Sequence, residues 1–211
     1  IQKERCTAIY GSPSAFIAMM EDPQYRTFHL KSLRTGIMGG AQCPMEVMKR
    51  VVEEMGAREI VIGYGLTESS SWITEARPDD PLELRVSTVG RPLPNVEVKM
   101  VDPGTGEEVP LGSAGELCAR GFNMKGYYKM PAATEKAIDR EGWLHSGDLG
   151  TMDEKGYVRM TGRLKEVITR GGETIYPTEI EEVLFSHPGV SNVQIFGVPD
   201  KELGEEIAAW I

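Results

Sequence analysis

Cysteine is scarce in this chain: Cys6, Cys43 and Cys118 are the only three in 211 residues, and no two form a C-x-x-C pair. That spacing excludes a disulfide scaffold or a zinc ribbon and suits a reduced, cytoplasmic compartment. Histidine is equally sparse. His29 and His187 have no second ligand near them in sequence, which argues against a zinc site. No apolar run approaches the ~20 residues that span a bilayer, and no basic-then-apolar segment opens the chain, so neither a transmembrane segment nor a signal peptide is expected. Positive charge is in deficit: 23 Lys and Arg face 32 Asp and Glu, for a net charge of -9 and a pI near 5.0. A nucleic-acid partner is therefore not expected, because phosphate backbones attract proteins of the opposite balance. What remains is ordinary globular composition, 40% hydrophobic and 26% charged, with length for one large domain or two small ones.

Hydrophobic periodicity divides the chain into differently patterned stretches. Cys6 to Tyr10 reads as a strand, and Ser12-Pro13 supplies an N-cap and first-turn proline for a helix through Met20. The pattern repeats with a strand at Arg34 to Met38, a helix at Pro44 to Met55 stopped by Gly56, and a strand at Glu59 to Ile62. Alternating β and α elements predict a parallel sheet covered by helices. From about Val86 short alternating strands such as Val96 to Met100, separated by turns such as Asp102-Pro103-Gly104-Thr105-Gly106, predict antiparallel pairing in a small barrel. After Gly162 a strand around Lys165 to Thr169, a helix near Thr178 to Ser186 and a strand at Val193 to Val198 form another unit. The expected class is α/β and α+β. Residues 1–162 would be part of a large domain (1–85 α/β, 86–162 barrel-like), and 163–211 a hinge and the start of a small domain. The chain starts at Ile1 without methionine and ends in the apolar stretch Ile207 to Ile211, and it reads as an excised piece.

Three segments carry candidate chemistry. Gly63-Tyr64-Gly65-Leu66-Thr67-Glu68-Ser69 follows a strand, where open α/β sheets place ligands. Its glycines permit close backbone approach, Tyr64 offers a ring face, Thr67 a hydroxyl for phosphate oxygens and Glu68 a hard carboxylate for Mg²⁺. In Gly147-Asp148, a carboxylate held in a glycine turn suits a pair of ribose hydroxyls, or it stabilises its own turn. Arg163, Lys165 and the Arg170-Gly171-Gly172-Glu173 run read, taken alone, as a solvated face. His145 has no serine or cysteine nucleophile at a recognisable spacing and reads as structural. Trp72 either borders a pocket or packs beneath the 63–69 loop.

Taken in order, Y-G-L-T-E-S at 64–69, S-T-V-G-R-P at 87–92, G-E-L-C-A-R-G at 115–121, W-L-H-S-G-D-L-G at 143–150 and G-R-L-K-E-V-I-T-R-G-G-E-T-I-Y-P-T-E-I-E at 162–181 resemble the motifs of adenylate-forming enzymes. That superfamily includes acyl-CoA synthetases, adenylation domains and luciferases. The R-G-G-E-x-I-Y-P form looks most like the medium- and long-chain fatty acyl-CoA synthetases, acid-thiol ligases that form acyl-AMP from a carboxylic acid and ATP and then pass the acyl group to CoA. The resemblance implies that Tyr64 stacks on adenine, Thr67 meets the α-phosphate, Glu68 holds Mg²⁺, and Asp148 and Arg163 take the ribose. It further implies that Gly39, Gly40 and Ala41, with Gly63 and Gly65, line the nucleotide and acyl site, that Lys165 is the hinge, and that Gly171 and Gly172 face the CoA pantetheine. The family's phosphate loop is expected upstream of Ile1 and its C-terminal lysine beyond Ile211, so this piece alone is expected to make no acyl-AMP. An adenylating ligase that loads a carrier protein and a non-catalytic binding module are the alternatives; acyl length and oligomeric state stay open.

Overall fold

A computed structural model describes residues 1–41, 43–190 and 192–211, and the chain divides into two compact units. The first comprises Ile1–Val96 with Gly156–Val158. Strands β1 (Ala8–Gly11), β2 (Thr35–Met38) and β3 (Glu59–Tyr64) are parallel neighbours. Helices α1 (Pro13–Glu21) and α2 (Met45–Glu54) provide the crossovers that parallel pairing requires. In α2 the buried side chains are Val47, Met48 and Val51, one apolar stripe at helical spacing. With Phe16, Met38, Met55 and Ile60 they form the core of this unit. The two-residue strands β4 (Thr74–Glu75) and β5 (Arg91–Pro92) extend the sheet antiparallel to order β1-β2-β3-β4-β5.

Between β4 and β5 lies α3 (Leu82–Ser87), so Val86 is helical, whereas the sequence pattern placed the start of the short strands there. The hydroxyl of Thr88 accepts from the Gly90 N–H (3.2 Å) and donates to the Leu84 carbonyl (2.7 Å). Gly90 itself has φ +79°, and a Cβ there would lie 1.9 Å from the Glu75 carbonyl carbon, so only glycine fits. The chain returns to this unit at Gly156–Val158. Val89 donates to the Val158 carbonyl, Val158 donates to the Gly90 carbonyl (both 2.8 Å), and the Tyr157 hydroxyl donates to Asp80 Oδ1 (2.6 Å).

The second unit, Glu97–Lys155 with Arg159–Ile211, holds two antiparallel sheets. One has the order β6 (Glu97–Val101), β7 (Gly115–Arg120), β8 (Leu144–Met152) and β9 (Val158–Arg163), with α4 (Pro131–Ala137) between β7 and β8. Its β6–β7 connection opens with the turn anticipated at 102–106, held by Asp102 Oδ1 accepting the N–H groups of Gly104 and Thr105 (both 2.8 Å). The other has the order β11 (Glu173–Ile175), β10 (Ile168–Arg170), β13 (Gly204–Trp210) and β12 (Gln194–Asp200). Ile180, Leu184 and Phe185 of α5 (Pro177–Phe185) pack on the buried Ile168, Val193 and Ile195. The passage from one sheet to the other is a single 3₁₀ turn, Leu164–Glu166, where the sequence pattern had a strand from Lys165.

Candidate functional site

Strand β3 runs two residues further than its apolar pattern suggests, because Gly63 pairs with Glu75 and Tyr64 with Thr74. Gly63 and Tyr64 are therefore strand residues, and the loop proper is 65–73. Its closure is tight. Ile73 donates to the Tyr64 carbonyl (2.8 Å), Ser71 donates to the Leu66 carbonyl (2.9 Å), and a Cβ on Gly65 would sit 2.1 Å from the Ser71 carbonyl oxygen. The buried Ser69 hydroxyl donates to the Leu66 carbonyl (2.9 Å) and accepts from the Leu66 N–H (3.0 Å). Those bonds shape a 3₁₀ turn, Thr67–Ser69, that leaves Thr67 exposed and Glu68 half-buried. Ser70 and Ser71 continue the loop at φ +57° and +82°, non-glycine left-handed residues of the kind that cluster at functional sites.

Trp72 closes the base of this loop. A Cβ on Gly63 would fall 2.0 Å from Trp72 Cζ3, and one on Gly39 would fall 2.8 Å from the Gly63 carbonyl oxygen and 3.7 Å from the Trp72 ring. The smallness of Gly63 is thus a packing requirement of the indole, and that of Gly39 a requirement of the Gly63 backbone carbonyl. Gly40 (φ +81°) and Ala41 are exposed beyond β2, and a Cβ on Gly40 would meet nothing within 4 Å.

In the second unit, Asp148 is buried in β8, with Arg163 Nε 3.1 Å from its Oδ1 and Arg163 Nη1 3.7 Å from Glu166 Oε1. Two residues upstream the Ser146 hydroxyl accepts from the Asp148 N–H (3.1 Å). His145 is held by neighbours: Nδ1 lies 2.8 Å from Glu116 Oε2 and 3.4 Å from Cys118 Sγ, and Nε2 lies 3.8 Å from Asp139 Oδ2. Burial, with the Glu116 carboxylate adding to it, pushes the Cys118 thiol up to about 12, which keeps it protonated at neutral pH. Glu116 does not stand out in the sequence. Its signal, an acidic residue within an otherwise apolar strand, is legible only once the partner strand is known.

Lys165 is exposed in the 3₁₀ turn between β9 and β10. Gly171 and Gly172, at φ +58° and +89°, form the two-residue loop joining β10 to β11, the geometry of a type I′ hairpin. Arg170, rather than standing solvated, grips Glu206 with two bonds of 2.7 and 3.0 Å.

The residues present fit a nucleotide and a hard cation in their donor chemistry: a ring face at the end of β3 and a hydroxyl and a carboxylate on the constrained loop that follows it, with a carboxylate and a guanidinium on β8 and β9. The chain belongs to the AMP-binding enzyme family, whose model matches residues 1–128, and the AMP-binding enzyme C-terminal domain matches residues 179–211. Among relatives it is 56% identical to YngI of Bacillus subtilis (strain 168), provisionally named an acyl-CoA synthetase, over all of this chain and 39% of that protein. It is 44% identical to the mitochondrial medium-chain acyl-CoA ligase ACSF2 of Danio rerio, over all of this chain and 35% of that protein. The chain thus spans under two fifths of the length of these relatives. Among solved structures, the amide bond synthetase McbA from Marinactinospora thermotolerans superposes with TM-score 0.88 at 35% identity, over 99% of this chain and 42% of that one. The adenylate-forming fold expected from the motifs is therefore the fold observed.

Proposed function

We propose that the intact protein is an ATP-dependent fatty acid-CoA ligase of the cytoplasm. It would join a carboxylate to AMP with loss of pyrophosphate and then give the acyl group to the CoA thiol. The observation that carries this reading is the 65–73 loop, closed by the Gly63–Glu75 pair and the Ser69 hydroxyl, which holds Thr67 and Glu68 in a fixed turn. Attack by one anion on another requires positive charge and oriented donors at the phosphate, and preorganised groups provide these without reorganisation. In this reading Thr67 donates to the α-phosphate, Tyr64 packs on adenine, and Asp148 and Arg163 take the ribose hydroxyls. Glu68 would hold Mg²⁺, whose charge offsets that of the phosphates when bound. Gly40 and Ala41 would keep the wall of the nucleotide site low, and Gly63 and Gly65 would serve it by letting Trp72 and the 65–73 loop close against the sheet. Lys165 would serve as the pivot for residues 163–211, and Gly171-Gly172 as the surface facing pantetheine. The names of YngI and ACSF2 support acyl-CoA formation, and the fatty acid is favoured by the medium-chain name of the latter.

The likeness to an amide bond synthetase favours one second reading, in which the acyl-AMP is intercepted by an amine or a carrier thiol. Full-length protein incubated with ATP, Mg²⁺, a panel of carboxylic acids and either CoA, amines or a carrier protein separates the two by mass spectrometry. Acyl-CoA supports the first reading, and an amide or acyl-carrier product without acyl-CoA replaces it. Glu68→Gln should lower pyrophosphate release on the order of 10²-fold, since an amide keeps the shape and loses the charge. Absence of acid-dependent pyrophosphate release with every acid, from folded protein, would refute the enzyme reading.

A further inference from the structure

We infer that Glu116 is a positioning residue for Asp148, acting through the backbone of the β8 bulge; the inference rests on the reading that Asp148 binds ribose. In the β7–β8 ladder Glu116 pairs with Leu149 and Cys118 with His145, so one residue, Leu117, spans the stretch where β8 carries three: Ser146, Gly147 and Asp148. Extra residues in one strand lose their ladder partners and re-aim the side chains they carry. A half-buried N–H so displaced, such as that of Gly147, is left without its ladder acceptor. Glu116 supplies another. Its Oε1 accepts the Gly147 N–H at 2.9 Å, while Oε2 lies 2.8 Å from His145 Nδ1, so one carboxylate ties down both residues on the approach to Asp148.

The anchor is rigid at every end. Leu117 and Leu149 are buried on either side of the bulge, and the Glu116 residue is only 7% exposed. Gly147 takes φ +74°, with open space where a Cβ would be, so its conformation and not its size is what the turn uses. The far side of the His145 ring faces Asp139, whose Oδ1 accepts the N–H groups of Glu141 (2.8 Å) and Trp143 (2.9 Å). A carboxylate that must meet two hydroxyls at once depends on such placement, because displacement by a fraction of an ångström removes both bonds together. Glu116 itself is assigned no contact with substrate.

The test measures binding of AMP and of 2′,3′-dideoxy-AMP to the full-length protein, reading the ratio of the two Kd values. Two charge-assisted hydrogen bonds to ribose correspond to a parental ratio on the order of 10². Asp148→Ala should lower it more than tenfold, Arg163 keeping what remains. Glu116→Ala, and Glu116→Asp with its reach shortened by one methylene, should each lower the ratio about tenfold while leaving dideoxy-AMP affinity unchanged. Glu116→Gln keeps an acceptor for Gly147 and should stay within about threefold of the parent. A parental ratio in folded Glu116→Asp, alongside a collapsed ratio in Asp148→Ala, overturns the positioning role and leaves the ribose reading standing. A parental ratio in Asp148→Ala overturns the ribose reading and this inference with it. Equal weakening of both nucleotides by the Glu116 variants assigns the residue to general stability and also overturns the inference.

Discussion

Gly63→Ala combined with Trp72→Ala measures how the loop and the sheet hold each other. The added methyl would lie 2.0, 2.7 and 2.8 Å from Cζ3, Cη2 and Cε3 of the indole, so the ring must leave its seat. Trp72 is 37% exposed where it stands. The covered remainder, roughly 100–150 Å² at ~25 cal/mol per Å², corresponds to about 2.5–4 kcal/mol of burial lost when the ring is expelled. Trp72→Ala loses the same burial directly and should cost about as much. Because both changes empty the same seat, the double variant should be no less stable than Trp72→Ala by more than about 0.5 kcal/mol, a coupling of about 2–4 kcal/mol. Urea denaturation of the four proteins, followed by circular dichroism, gives the cycle. Additive single effects would show that the indole does not rest on Gly63 and would remove the account of why that position is glycine.

Three further outcomes follow from other parts of the structure. Burial pushes the Asp80 carboxyl up, but hydrogen bonds from the Tyr157 hydroxyl and the Arg77 N–H, with the Arg91 charge, outweigh it and bring the group below the usual carboxylate range. A lowered folded value contributes stability above the unfolded carboxylate pKa that is lost as pH falls through the folded one; Asp80→Asn should therefore cost about 1–3 kcal/mol at pH 7, and its deficit should shrink below about pH 4, as thermal melts across pH can check. The Cys118 thiol, pushed up to about 12, should resist iodoacetamide in the native protein at pH 8 and react after unfolding, as peptide mass spectrometry would show. Lys165→Pro fixes φ near -65° in the turn between β9 and β10. In the full-length protein it should spare most acyl-AMP formation and lose most CoA transfer, and parallel loss of both in folded protein would remove the hinge assignment.

Local pattern was a good guide wherever one side chain decides the element. The apolar stripe of α2 and the proline at the first turn of α1 were legible because helical spacing and proline's fixed φ act within a few residues. The end of β3 is not legible in sequence, because Gly63 and Tyr64 become strand only by pairing with β4, a partner two residues long with no sequence signature of its own. The helix at Leu82–Ser87 was missed for a related reason: Val86 looks like strand, yet its apolar side chain is buried against the first core and Arg85 reaches the Arg58 and Ile60 carbonyls at 2.8 and 3.0 Å. Asp148 was visible as a carboxylate between glycines, while Glu116 was not, since its partners lie 29 and 31 residues away. Gly171-Gly172 carried a hairpin signal that the surrounding charges hid.

The return of Gly156–Val158 to the first unit bears on how the chain is made. Residues Glu97–Lys155 belong to the second unit, so about sixty residues emerge between Val96 and the Gly156–Val158 segment that completes the first. At ~5–20 residues per second of synthesis, that is roughly 3–12 s on the ribosome. During that interval the Asp80 carboxylate awaits the Tyr157 hydroxyl, and the backbone at Val89 and Gly90 awaits Val158. The contacts that seal the first unit therefore form only after most of the following sheet has been synthesised.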